Sequence, residues 1–135
     1  CGARGPHAVS AEAPDSLAVL QREVRAFSDA RDWGRYHSPR NLAMALSVEA
    51  NELLELFLWC SDDGPQPMVA SREPKVADEA ADVLMCLLNL CDRADIDLAT
   101  ALRSKLARAA EKYPVERVRG RALKYDEYPD DPTAE

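Results

Sequence analysis

The sequence predicts an all-α fold, a four-helix bundle, on three observations. Only five glycines occur in 135 residues, and four long stretches carry no internal Gly or Pro. Within those stretches apolar residues recur every three or four positions, the period of an amphipathic helix. No run alternates apolar and polar residues in the manner of a half-buried strand.

The first helix is predicted over about Ser16–Arg31, with Leu17, Leu20, Val24 and Phe27 as its stripe. The second opens at Ser38–Pro39 and runs to about Trp59. A Ser hydroxyl can cap the first turn, and Pro is tolerated where the N–H has no partner anyway. Cys60–Glu73, rich in Asp, Pro and Ser, reads as a loop. The third helix is expected from about Pro74 to Asp92, and the fourth from Asp97, an N-cap, to Tyr113. Pro114 ends it, because the residue before a proline is pushed out of the helical region. Beyond that point the pattern fades. The expected organisation is a flexible segment over 1–15, one helical domain over 16–125 and a disordered acidic tail over 126–135.

The formal charge is −7, from 17 Lys+Arg against 24 Asp+Glu. That balance argues against a nucleic-acid polymer as partner, since phosphate neutralisation needs clustered cations. It leaves a small polyphosphate open, because a bound cation reverses the local field. No apolar run approaches the ~18 residues of a membrane span, and residues 1–15 lack a signal-type apolar stretch. Neither a membrane nor secretion is expected. The cysteines, Cys1, Cys60, Cys86 and Cys91, form no C-x-x-C pair, and reduced thiols in a cytoplasmic protein are the plainer reading.

The third helix is apolar most of the way round. Val76, Ala80, Val83 and Leu87 form one stripe, and Leu84, Met85 and Leu88 carry apolar surface to the other side. Such a helix must be covered on more than one side, which predicts association of chains.

Two helices carry carboxylates where a core face should be. On the second, Glu49 falls seven residues after Leu42 and four before Leu53, within the stripe Leu42, Leu46, Leu53, Leu56 and Phe57. Glu52 lies at the edge of that stripe and Glu55 points away. On the third, Glu79 and Asp82 share one flank, with Cys86 a turn further on. Burying an ionised carboxylate without a partner costs several kcal/mol, and four converging carboxylates repel one another. A hard divalent cation removes both penalties. Acid pairs at i, i+3 are also frequent on solvated helices, and Glu79/Asp82 alone fits that description. Glu49 does not.

Other residues join this group. Lys105 shares a stripe with Leu98, Leu102 and Ala109 and is predicted to point inward, toward a phosphate oxygen or one of the glutamates. Trp33, Tyr36 and His37 precede the second helix and Trp59 follows it; such aromatics stack a base or plug the bundle ends. His37 is not assigned as a metal ligand. The cations Arg117 to Lys124 either reach over a phosphate or form a solvated run.

Taken together, Glu49-x-x-Glu52 followed by Glu79-x-x-Asp82 resembles the two-part acidic signature of the MazG-like, all-alpha nucleoside triphosphate pyrophosphohydrolases. The resemblance is closest to the dCTP pyrophosphatase branch. Supporting segments are Arg31–Trp33, His37–Asn41, Glu52–Trp59, Asp78–Leu84, Ser104–Lys105, Lys112–Val115 and Lys124–Tyr125, so it spans about Leu17 to Tyr125. It implies a homotetramer that hydrolyses a dNTP to dNMP and pyrophosphate, as in cleansing of the nucleotide pool. Glu49, Glu52, Glu79 and Asp82 would ligate Mg²⁺, with Mn²⁺ as a substitute, and Glu49 or Glu52 would serve as catalytic base. Trp33, His37, Trp59, Cys86, Lys105, Lys112, Tyr113 and Lys124 would contact the nucleotide. Three positions depart from the branch: Val24 stands for its His, Cys86 for its Tyr and Ala109 for its Asn. These changes leave the metal chemistry intact and bear on the choice of base and sugar. Two other readings remain at this point. A di-iron bundle needs Glu-x-x-His motifs, and neither His7 nor His37 is preceded by Glu at that spacing. A non-catalytic interaction module explains the apolar third helix but not Glu49.

Overall fold

The computed structural model describes residues 16–58, 67–122, 124, 126 and 127. Among them every regular element is helical: α1 (Leu17–Asp29), a 3-10 turn (Trp33–Arg35), α2 (Pro39–Glu55), α3 (Pro67–Arg93), α4 (Leu98–Lys112) and the short α5 (Val115–Val118). The expected N-caps Ser38 and Asp97 are in place, accepting from the backbone N–H groups of Asn41 and Thr100. Ser16, read as the first residue of its helix, caps α1 by accepting from the Val19 N–H. No described helix is long and apolar enough to cross a membrane. Residues 1–15, Trp59, residues 60–66 of the expected loop and residues 128–135 of the expected 126–135 tail lie outside the described residues.

Three expectations need correction. The second helix ends at Glu55 and not near Trp59; Leu56 to Leu58 continue as turns. The third helix begins at Pro67, so Pro74 sits inside it and not at its start. Proline is as well suited to the first helical position at 67 as at 74, and residues 68–73 contain no glycine to stop a helix. An interior proline removes one backbone hydrogen bond, a local cost of about 3 kcal/mol that neighbouring helical turns must offset. The third correction is α5, which the faded pattern after Pro114 did not signal.

The chain divides into two compact units at Ile96/Asp97. In the first unit, α1 and α2 each pack on α3. Its most enclosed side chains are Leu42 on α2 and Cys86, Leu88 and Cys91 on α3, with Ser28 of α1 beside them. The second unit holds α4 and α5. The left-handed backbone of Asp32 (φ 53°) turns the chain from α1 into the 3-10 segment, a conformation aspartate tolerates better than most residues.

An ion pair ties α1 to α3. The Arg25 guanidinium donates to Asp92 Oδ1, with Nε at 2.8 Å, and the Gln21 amide adds a contact at 3.5 Å. The hydrogen bond from Arg25 holds the Asp92 carboxyl below its ordinary value of 3.8. A depressed folded-state value means that this stability is present above pH 3.8 and lost as the pH falls through the lower, folded-state value. Acid titration of the melting temperature should therefore be shallower in Asp92→Asn than in the unmodified chain. Equal slopes in this range would show that the pair contributes nothing.

Candidate metal centre

The entry to α2 sets the phase of its carboxylates. Ser38 Oγ accepts from the Asn41 N–H at 3.2 Å, and the Asn41 amide donates to the Tyr36 carbonyl at 2.9 Å. From that start Leu42 is buried, Leu46 and Leu53 are half-buried, and Glu49 lies on the same face. Met44, Val48 and Leu54 fall on the opposite face, each more than half exposed, as is Leu58 in the turn that follows. On α3, Glu79 and Asp82 are half-buried one turn apart, and Cys86 follows a turn later.

Glu49, Glu79 and Asp82 converge, each offering a carboxylate oxygen within 4.8 Å of the others. Burial first, then repulsion from Glu52, Asp82 and Glu79, pushes the Glu49 carboxyl up. Glu79 Oε2 is buried and has no hydrogen-bond partner among the described residues. A buried acceptor without a donor costs free energy, and three carboxylates at this separation add Coulomb repulsion. Both penalties vanish if a cation binds. The donors are all carboxylate oxygens, the ligand type that hard divalent cations take. Glu52, expected as a fourth ligand, is exposed and stands outside the group, although its charge reaches Glu49.

A cleft of about 290 Å³ adjoins the carboxylates, because its lining residues Ala45 and Cys86 lie one turn from Glu49 and Asp82. Trp33 forms one wall. Its ring meets Phe27 edge-on at 5.7 Å and His37 at 6.2 Å. The Arg31 guanidinium lies over the Phe27 ring at 3.5 Å from its centroid. Half-buried His37 and buried Cys86 line the same cleft, so the structure brings Trp33, His37 and Cys86 together. Burial, followed by the charges of Glu49 and Asp82, pushes the Cys86 thiol up, so it stays protonated and neutral at neutral pH.

Sequence reasoning passed over one pair in the cleft. Ser28 of α1 is 5% exposed, and its hydroxyl donates to Asn89 Oδ1 of α3 at 3.2 Å. Ser28 stands one position beyond Phe27 of the α1 stripe, the only hint the sequence carries.

The remaining predicted contact residues belong to the second unit. Lys112 closes α4, Tyr113 caps it, and Lys124 is exposed beyond α5. Lys105 is exposed too, whereas its stripe predicts an inward side chain. A lysine stem lies along apolar surface while its ammonium stays in water, so a stripe position does not bury the charge.

A sequence profile of the MazG-like family matches residues 44–127. The dCTP pyrophosphatase 1 of Rattus norvegicus is 40% identical over 129 residues, covering 94% of this chain and 75% of that protein. The human dCTP pyrophosphatase 1 is 38% identical over 116 residues, covering 84% and 68%. Among solved structures, a pyrophosphatase from Archaeoglobus fulgidus superposes with a TM-score of 0.69 at 41% identity, covering 73% of this chain and 92% of that one.

Proposed function

The chain belongs to the MazG-like family, and on that premise we propose that it is a Mg²⁺-dependent nucleoside triphosphate pyrophosphatase that converts a dNTP to dNMP and pyrophosphate. The observation that carries this reading is the meeting of Glu49, Glu79 and Asp82 around a buried oxygen without a donor. Glu49, Glu79 and Asp82 would hold the ion, with Glu52 at the margin. When bound, the ion neutralises triphosphate charge and lowers the pKa of the attacking water. Glu49, more enclosed than Glu52, is the carboxylate that would accept a proton from that water. The aromatic cleft one turn away holds the base, with Trp33 as its wall, and orients the triphosphate toward the carboxylates. Trp59, Lys105, Lys112, Tyr113 and Lys124 are the further nucleotide contacts that the family resemblance implies. The same reading places the enzyme in the cytoplasm, where it removes unwanted nucleotides from the pool.

The preferred base is a pyrimidine, with dCTP best. The cleft volume stands at the small end of ligand sites, which suits a single ring. Val24, Cys86 and Ala109 replace polar residues of the dCTP pyrophosphatase branch, so discrimination is weaker than the branch norm. The expected result is a modest preference for dCTP in kcat/KM across the four dNTPs and dUTP. A purine in first place would overturn the base assignment, and selectivity of several orders of magnitude would overturn the relaxed pocket.

The enzyme assembles as a homotetramer. The exposed apolar side chains Met44, Val48 and Leu54 on the outer face of α2 support this, since such a cluster is unusual on a stable monomer. Light scattering should give four times the chain mass of 14.9 kDa; a monomer at micromolar concentration would contradict it.

A further inference from the structure

We infer that Asn89, held by Ser28, reads the edge of the base and favours cytosine over uracil. The inference rests on the nucleotide reading above and goes beyond it by naming the group that selects the base. Stacking on Trp33 does not choose among bases, because every base has a π-face. Choice needs a fixed polar group in the cleft. Cys86 is a poor candidate, being a weak donor held neutral. Asn89 lines the cleft together with Phe27, Trp33 and Cys86. It follows Cys86 by three residues on α3, so both look out from one face of the helix.

The orientation of the Asn89 amide is set from α1. Ser28, almost fully enclosed, donates to Oδ1 at 3.2 Å. With its oxygen engaged by that hydroxyl, the amide has two N–H donors to offer a ligand. Cytosine presents two adjacent acceptors, O2 and N3. Uracil and thymine keep O2 but carry a hydrogen on N3, so a donor meets a donor there. The difference is one neutral hydrogen bond gained or one donor left unpaired, which corresponds to about tenfold in kcat/KM. Ser28 acts through Asn89 and is a positioning residue.

The test compares kcat/KM for dCTP and dUTP in the unmodified enzyme, Asn89→Ala, Asn89→Asp and Ser28→Ala, with helical content checked by circular dichroism. Asn89→Ala should lower the dCTP:dUTP ratio about tenfold, mainly through KM for dCTP. Asn89→Asp exchanges a donor for an acceptor and should move the ratio further, toward dUTP, which a purely structural role for Asn89 does not predict. Ser28→Ala should lower the ratio less than Asn89→Ala. Folded, active variants whose ratio stays within twofold of the unmodified enzyme would overturn the inference alone. An unmodified protein that releases no pyrophosphate from any dNTP would overturn the functional reading and this inference with it.

Discussion

Glu49→Gln is expected to lower metal-dependent pyrophosphate release by more than about 10²-fold while leaving the helical content unchanged. Glutamine keeps the shape of the side chain and removes the charge that both binds the ion and accepts the proton. The same substitution should stabilise the metal-free protein at neutral pH. The fold holds the Glu49 carboxyl above its ordinary value of 4.5, so the ionised form is the one the fold disfavours. That penalty is present at neutral pH and is relieved as the pH falls through the raised, folded-state value. The melting temperature of Glu49→Gln in chelator should therefore exceed that of the unmodified chain at pH 7, by about 2–4 °C for each kcal/mol relieved, and the gap should close toward pH 4.5. Added Mg²⁺ should reverse the order, since binding to the folded state stabilises only the chain that retains its ligands. Asp82→Ala should behave alike in activity. A fully active Glu49→Gln enzyme would remove Glu49 from the site.

The second large effect is structural. Leu88 is 2% exposed, the most enclosed large side chain among those described on α3. Leu88→Ala should cost about 2–5 kcal/mol, the transfer free energy of the lost atoms plus the cavity they leave. Against a total of about 5–15 kcal/mol for a domain of this kind, the variant should melt roughly 10 °C lower or fail to fold at 37 °C. Urea denaturation measures the difference, and a loss below about 1 kcal/mol would show that the core is centred elsewhere.

Which parts of this were legible in the sequence follows from how far each signal is local. Ser38 and Asp97 cap their own helices, so a short window suffices to find them. Glu49 was legible because a charge inside an apolar stripe contradicts its neighbours. The centre of burial on α3 was not. Since α1 and α2 both pack on α3, its buried arc is wide, and periodicity favoured Val76, Ala80, Val83 and Leu87 over Leu88 and Cys91. Proline at 74 misled for a related reason: it fits the start of a helix well, and nothing nearby reveals that the helix has already begun at Pro67. The exposed place of Glu52 reflects a position at the edge of its face, where a periodic pattern has no power to decide. Ser28 and Asn89 stand 61 positions apart, and each taken alone resembles an ordinary surface residue.

The central claim is that three carboxylates from α2 and α3 form a cation site that cleaves a nucleoside triphosphate between its α and β phosphates. Product analysis of the unmodified enzyme with dCTP, by anion-exchange chromatography with and without Mg²⁺, tests it most directly. Equal amounts of dCMP and pyrophosphate, formed only when the cation is present, are predicted; dCDP with orthophosphate, or turnover undiminished in chelator, would contradict it.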